Sequence, residues 1–165
     1  MKICVNAGHT KFGKGTGASG YLNESKETRK IAYEVMNLLV DSNHEVIPAI
    51  FDRSSNNLKE AVDLANNENA DLFVSIHLNA GGGQGCEAFT WKGQKVTQAE
   101  KALNGLKSLG FRNRGIKDGS NLYVVKNTKM TAVLIEVCFV DNKADAELFK
   151  KVGYKNIAKA ICNAI

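Results

Sequence analysis

Residues 131–140 read TAVLIEVCFV, a run in which only Thr131 and Glu136 are not apolar. Such a run has no polar face to turn to water, so it fits a strand buried on both sides, in a sheet covered by helices. Similar runs recur upstream: KICVNA at 2–7, EVIPAIFD at 45–52, DLFVSIHLNA at 71–80 and CEAFTWK at 86–92. Pro48 cannot donate a ladder hydrogen bond, which places the second of these near a sheet edge. Helical spacing fills the intervals. Ile31, Val35, Leu38 and Leu39 share one side of 24–42 behind Asn23 as N-cap; Leu58, Val62 and Ala65 share one side of 58–68; Ala99, Leu103 and Leu106 share one side of 96–109. Segments 144–149 and 157–165 read as closing helices, and 121–125 as a short extended piece. Strands alternating with helices predict an α/β fold: one domain, 1–165, with a largely parallel twisted sheet and helices on both faces.

The chain has 165 residues, enough for one substantial core, and neither a repeat nor a low-complexity linker divides it. Lys and Arg outnumber Asp and Glu by 22 to 17, a balance that favours an anionic partner without naming it. No stretch approaches the roughly 18 to 20 apolar residues of a membrane span, and MKICVNAGH is too short an apolar run for a signal peptide. The expectation is a protein made in the cytoplasm, without membrane insertion. Cys4, Cys86, Cys138 and Cys162 show no paired spacing and read as reduced thiols; Cys86, after a glycine run, also remains open as a ligand or nucleophile.

In open α/β sheets the active crevice lies beyond the carboxyl ends of the strands, so polar residues at strand exits are informative. His9 follows the first strand, His77 sits near the end of the third, and Glu136 lies late in the last. Glu24 enters from the same side, at the start of the first helix. Two imidazoles and a carboxylate suit a zinc ion with one position open, and an open site of that kind is catalytic. Glu136, in the middle of an apolar run, would cost several kcal/mol as an ionised group without a partner. It reads as a general acid/base for hydrolysis of an amide or ester, the competing reading being a buried ion pair with a Lys or Arg. His44 lies in a polar turn and stays outside the set.

Four segments carry a family likeness: NAGHTKFGKGTGASGYLNE at 6–24, ADLFVSIHLNA at 70–80, NRGIKDGSNLYVV at 113–125 and TAVLIEVCFVDN at 131–142. Together they resemble the zinc-dependent N-acetylmuramoyl-L-alanine amidases of the amidase-3 type, found as phage endolysin and bacterial autolysin catalytic domains. The resemblance implies that His9, Glu24 and His77 hold one Zn2+ per chain, that Glu136 is the catalytic acid/base, and that Asn79 lies close by. It implies peptidoglycan as substrate, cut between the lactyl group of N-acetylmuramic acid and L-alanine of the stem peptide, with action on the bacterial wall after release. The sequence departs from the family at Cys138, where a glycine is usual, at Thr131, where a proline is common, and at Ala61, where an arginine is common. No wall-binding repeat follows Ile165, so the expectation is a catalytic domain alone or a truncated piece of a longer protein.

Three other readings compete. Gly15-Thr16-Gly17-Ala18-Ser19-Gly20 spells G-x-G-x-x-G ahead of a helix, with Asp52 closing the second strand, as in a dinucleotide-binding enzyme. These glycines begin well past the strand end, whereas that fingerprint turns directly out of the strand. They read better as a hinge that returns Glu24 to His9. A non-catalytic wall-binding module is disfavoured because no ligand and no acid/base is missing. Arg112, Arg114 and Lys117 suggest nucleic acid, but without a motif or aromatic platform they read as a solvated basic loop, and no nucleic-acid partner is expected; their position before the last strand leaves open a contact with carboxylates of the muropeptide instead.

Overall fold

A computed structural model describes all residues, 1–165. The chain runs β1 (Lys2–Ala7), α1 (Glu24–Asp41), β2 (Glu45–Ala49), α2 (Asn57–Asn67), β3 (Leu72–Asn79), β4 (Cys86–Thr90), α3 (Thr97–Ser108), β5 (Asn113–Asp118), α4 (Tyr123–Asn127), β6 (Thr131–Phe139), α5 (Lys143–Val152) and α6 (Tyr154–Cys162). One six-stranded sheet results, in the order β2-β1-β3-β6-β4-β5. The first four of these run parallel; β4 pairs antiparallel with β6, and β5 runs parallel to β4. The expected α/β class and largely parallel sheet are what the structure has, with Pro48 on the edge strand β2.

Side chains alternate across a strand with a period of two, and here the alternation sorts two cores. Ile3 and Val5 of β1, Val74 and Ile76 of β3, and Val133 and Ile135 of β6 join the larger core, under α1, α3, α5 and α6. Cys4, Phe73 and Leu134 point the other way into a smaller core shared with Val62 of α2 and Val125 of α4. Burying each large aliphatic or aromatic side chain contributes about 1.5–3 kcal/mol. On that second face the strands turn polar towards their carboxyl ends: Asn6 succeeds Cys4, Ser75 and His77 succeed Phe73, and Glu136 succeeds Leu134.

Two local readings are corrected. Arg114 and Lys117, expected with Arg112 in a solvated basic loop, lie on the edge strand β5, while Arg112 precedes it; Gly115, at φ +83°, and the charged residues erase any alternating pattern. Residues 121–125, read as extended from Tyr-Val-Val, enter the short helix α4, because Val124 and Val125 both bury in the smaller core from a helical turn. The Cys86 thiol is neither ligand nor nucleophile: it is fully buried, and burial pushes its pKa up to about 12.

Candidate functional site

The first link is the turn out of β1. The Gly8 N–H donates to the Ile76 carbonyl at 2.9 Å, extending the ladder with β3, and His9 then takes the left-handed conformation at φ 67°, rare for a non-glycine. That turn aims the ring back across the strand ends. A Cβ on Gly8 would collide with the His77 ring, so the backbone must be bare there. Gly17 plays the matching part in the loop: at φ +78° it lies against both Glu24 Oε2 and the His9 ring. The middle glycine of the G-x-G-x-x-G string thus serves a close approach between the loop and Glu24, while Gly20 lies against the backbone of Val140 and Asp141.

Glu24 opens α1 behind Asn23, whose side chain accepts from the Lys26 N–H. Its carboxylate is held from two sides, Oε2 accepting from the Ala18 N–H at 2.9 Å and Oε1 from the Leu78 N–H at 3.2 Å. Oε1 also lies 3.2 Å from His9 Nε2 and 3.1 Å from His77 Nδ1. The two imidazoles meet edge to face, their centroids 5.1 Å apart. One ligand atom from each of His9, Glu24 and His77 falls within 4.8 Å of the others.

The surrounding hydrogen bonds decide which ring nitrogens carry protons. His9 Nδ1 lies 3.2 Å from the Gly15 carbonyl, which can only accept, so Nδ1 is the protonated nitrogen and Nε2 turns its lone pair to Glu24. Asn6 spends its amide N–H on the Ala49 carbonyl and accepts the Ser75 hydroxyl at 2.7 Å. Ser75 Oγ therefore accepts from His77 Nε2 at 3.1 Å, which leaves Nδ1 of His77 as the lone-pair atom. Neutral His9 and His77 would thus set two nitrogen lone pairs and a carboxylate oxygen against one another. Such an arrangement calls for a cation at its centre, and two imidazoles with a carboxylate fit zinc. Protons answer the same demand in the ion-free chain. The Glu24 carboxyl lies well below the usual range: burial alone would raise it, but the hydrogen bonds from His77 and His9 outweigh that. The hydrogen bond to Glu24 likewise raises His9.

Glu136 adjoins this cluster, in register with His77 on the neighbouring strand. Its Oε2 is buried without a hydrogen-bond partner, and no Lys or Arg pairs with it, so the buried ion-pair reading fails. Burial first, and then the negative charges of Glu24 and Glu87, push its pKa up to about 8. A carboxyl in that range can take and return a proton near neutral pH.

Four contributors went unread in the sequence. Arg29 of α1 is buried and donates to the carbonyls of Ser25, His9 and Phe51, at 2.9, 3.1 and 2.7 Å, tying the His9 turn to the exit of β2. A cation amid Ile31, Ala32 and Val35 was the available signal. Glu87 of β4 is buried, accepting from Asn79 Nδ2 at 2.7 Å and from Arg114 Nε at 2.8 Å. Ser75 and Asn6 hold the His77 ring, and as polar interruptions in apolar strands they were a second signal.

A six-stranded α/β sheet with two histidines and a glutamate gathered beside an unpaired carboxyl is the layout of a hydrolase. The chain belongs to the N-acetylmuramoyl-L-alanine amidase family, whose description matches residues 3–165. It is 34% identical to the N-acetylmuramoyl-L-alanine amidase CwlM of Bacillus licheniformis, over 100% of this chain and 67% of that protein. It is 36% identical to an endolysin of Bacillus phage SPP1, over 93% of this chain and 60% of that one. The catalytic domain of the CD27L endolysin targeting Clostridia Difficile superposes with a TM-score of 0.89 at 32% identity, covering 99% of this chain and 96% of that one. The chain spans about half the length of two Clostridium perfringens relatives, 52% and 51%, at 36% and 34% identity. No helix is long and apolar enough to cross a membrane.

Proposed function

We propose that this chain hydrolyses the amide between the lactyl group of N-acetylmuramic acid and L-alanine of the peptidoglycan stem peptide. His9 Nε2, Glu24 Oε1 and His77 Nδ1 would hold one zinc ion. The observation that carries this reading is the convergence of three acceptor atoms within 4.8 Å beside an unpaired carboxyl. When bound, zinc supplies Lewis acidity, polarising the carbonyl and acidifying water. Glu136 accepts the proton of the attacking water and returns it to the departing alanine nitrogen; a pKa near 8 in the ion-free chain suits both halves of that exchange. Asn6, Ser75 and Arg29 hold the histidines in place, and Glu24 stays ionised throughout. The substrate places the site of action at the bacterial wall.

Digestion of purified peptidoglycan, with metal analysis of the protein, tests this. The expected result is about one zinc per chain, new L-alanine amino termini, and no new reducing sugar ends. Release of reducing ends instead would make the enzyme a glycosidase.

A further inference from the structure

Beyond the zinc cluster and Glu136, one charged group reaches the site with donors to spare. Arg114 lies on the edge strand β5 and spends Nε on the buried Glu87, at 2.8 Å. Its guanidinium also sits over the Phe139 ring, 5.0 Å from the centroid. The ring is itself confined, because Gly83 passes against its far edge and the Phe139 N–H is held by Asp145. Two contacts therefore fix the plane of the guanidinium, while the side chain stays one-third exposed and its two Nη groups donate to nothing in the protein.

The anchor is tied to the reacting groups. Glu87 stands opposite Glu136 in the β4–β6 pairing, and its second oxygen holds Asn79, two residues after His77. Arg114 is thus one side chain removed from Glu136. Arg112 and Lys117 add positive charge to the same edge of the sheet.

We propose that Arg114 is a substrate-binding residue that takes a free carboxylate of the stem peptide on its two Nη groups. This rests on the amidase reading and narrows its substrate. A planar guanidinium held over an aromatic ring, with both Nη groups unpaired and the side chain one-third exposed, matches the two oxygens of a carboxylate better than a single carbonyl. In the stem peptide the residue after L-alanine is a γ-linked glutamate, whose α-carboxylate lies one residue beyond the scissile amide. Amidation of that group removes the charge and one acceptor oxygen.

The test uses two soluble muropeptides that differ only in whether this carboxylate is free or amidated. The wild type is expected to favour the free acid by roughly tenfold to hundredfold in kcat/KM, mostly through KM. In Arg114→Ala the ratio of the two kcat/KM values should collapse to near unity, whatever the change common to both substrates; Arg114→Lys should keep part of the preference. A wild type that does not discriminate, or an Arg114→Ala that slows both substrates equally as a purely structural partner of Glu87 would, overturns the proposal. Calorimetric binding of L-alanyl-γ-D-glutamate and its amidated form needs no turnover. If neither muropeptide is cut yet the acid dipeptide binds the wild type more tightly than Arg114→Ala, the amidase reading fails and the carboxylate site stands. Equal binding of the two dipeptides to the wild type overturns the site alone.

Discussion

Glu87 of β4 and Glu136 of β6 stand directly opposite each other across an antiparallel pair, and only Glu87 has partners: Arg114 and Asn79. The hydrogen bonds fix Glu87 in place, and its negative charge acts on a neighbour that has no such support. Two carboxyls in register thereby differ in setting: Glu87 is fixed by its partners, and Glu136 is unpartnered with its pKa raised to about 8.

Replacing Glu136 by Gln should lower wall hydrolysis by roughly 10²–10⁴, the range for a general acid/base, while zinc content stays near one per chain. Activity on purified peptidoglycan and elemental analysis of the same preparation check this. Full retention of activity would move the proton transfer to another group.

The raised Glu136 pKa makes the metal-free protein sensitive to pH. The folded state binds this proton more tightly than the unfolded chain, so the stabilisation is complete below about 4.5 and is lost as pH rises towards about 8. His9, raised by Glu24, changes in the same direction above its ordinary 6.5. Chelator-treated wild type should therefore lose stability against Glu136→Gln between pH 5 and 8, by on the order of a few kcal/mol. Urea titrations at several pH values measure the gap; a constant gap would mean that Glu136 is not buried as an acid.

Ser75→Ala removes the acceptor that fixes the proton on His77 Nε2. Zinc affinity should fall by roughly 10- to 100-fold, as for other groups that orient a metal ligand, and turnover at saturating zinc should stay close to normal. Competition with a chromophoric chelator reads the affinity. Unchanged affinity would show that Ser75 does not govern the orientation of His77.

Arg29→Leu strips three backbone carbonyls of their buried donor, including that of His9. A loss of about 2–4 kcal/mol in denaturant unfolding is expected, together with weaker zinc binding because the His9 turn is freed. A stability change near zero would show that water replaces the guanidinium at no cost.

Much of the architecture was legible because it rests on local patterns. The apolar run 131–140, the helical spacing behind Asn23 and the edge proline Pro48 each declare an element through a few neighbouring residues. Glu136 declared itself as well, since an acid inside such a run needs a reason. β5 and α4 were not legible: Gly115 and three nearby cations hide the strand, and Val124 and Val125 look like strand residues until a core receives them.

By itself, then, the sequence determined the class of fold, the order of its elements apart from β5 and α4, and the types of chemically able residue at the strand exits, because periodicity and side-chain chemistry are properties of short segments. Tertiary structure alone decided which of those residues face one another. Strand register put Glu87 opposite Glu136, Arg29 reached the His9 turn across 20 residues, and the chain from Asn6 through Ser75 set the lone pair of His77. Each of these depends on contacts between distant segments, whose geometry exists only once the sheet has closed.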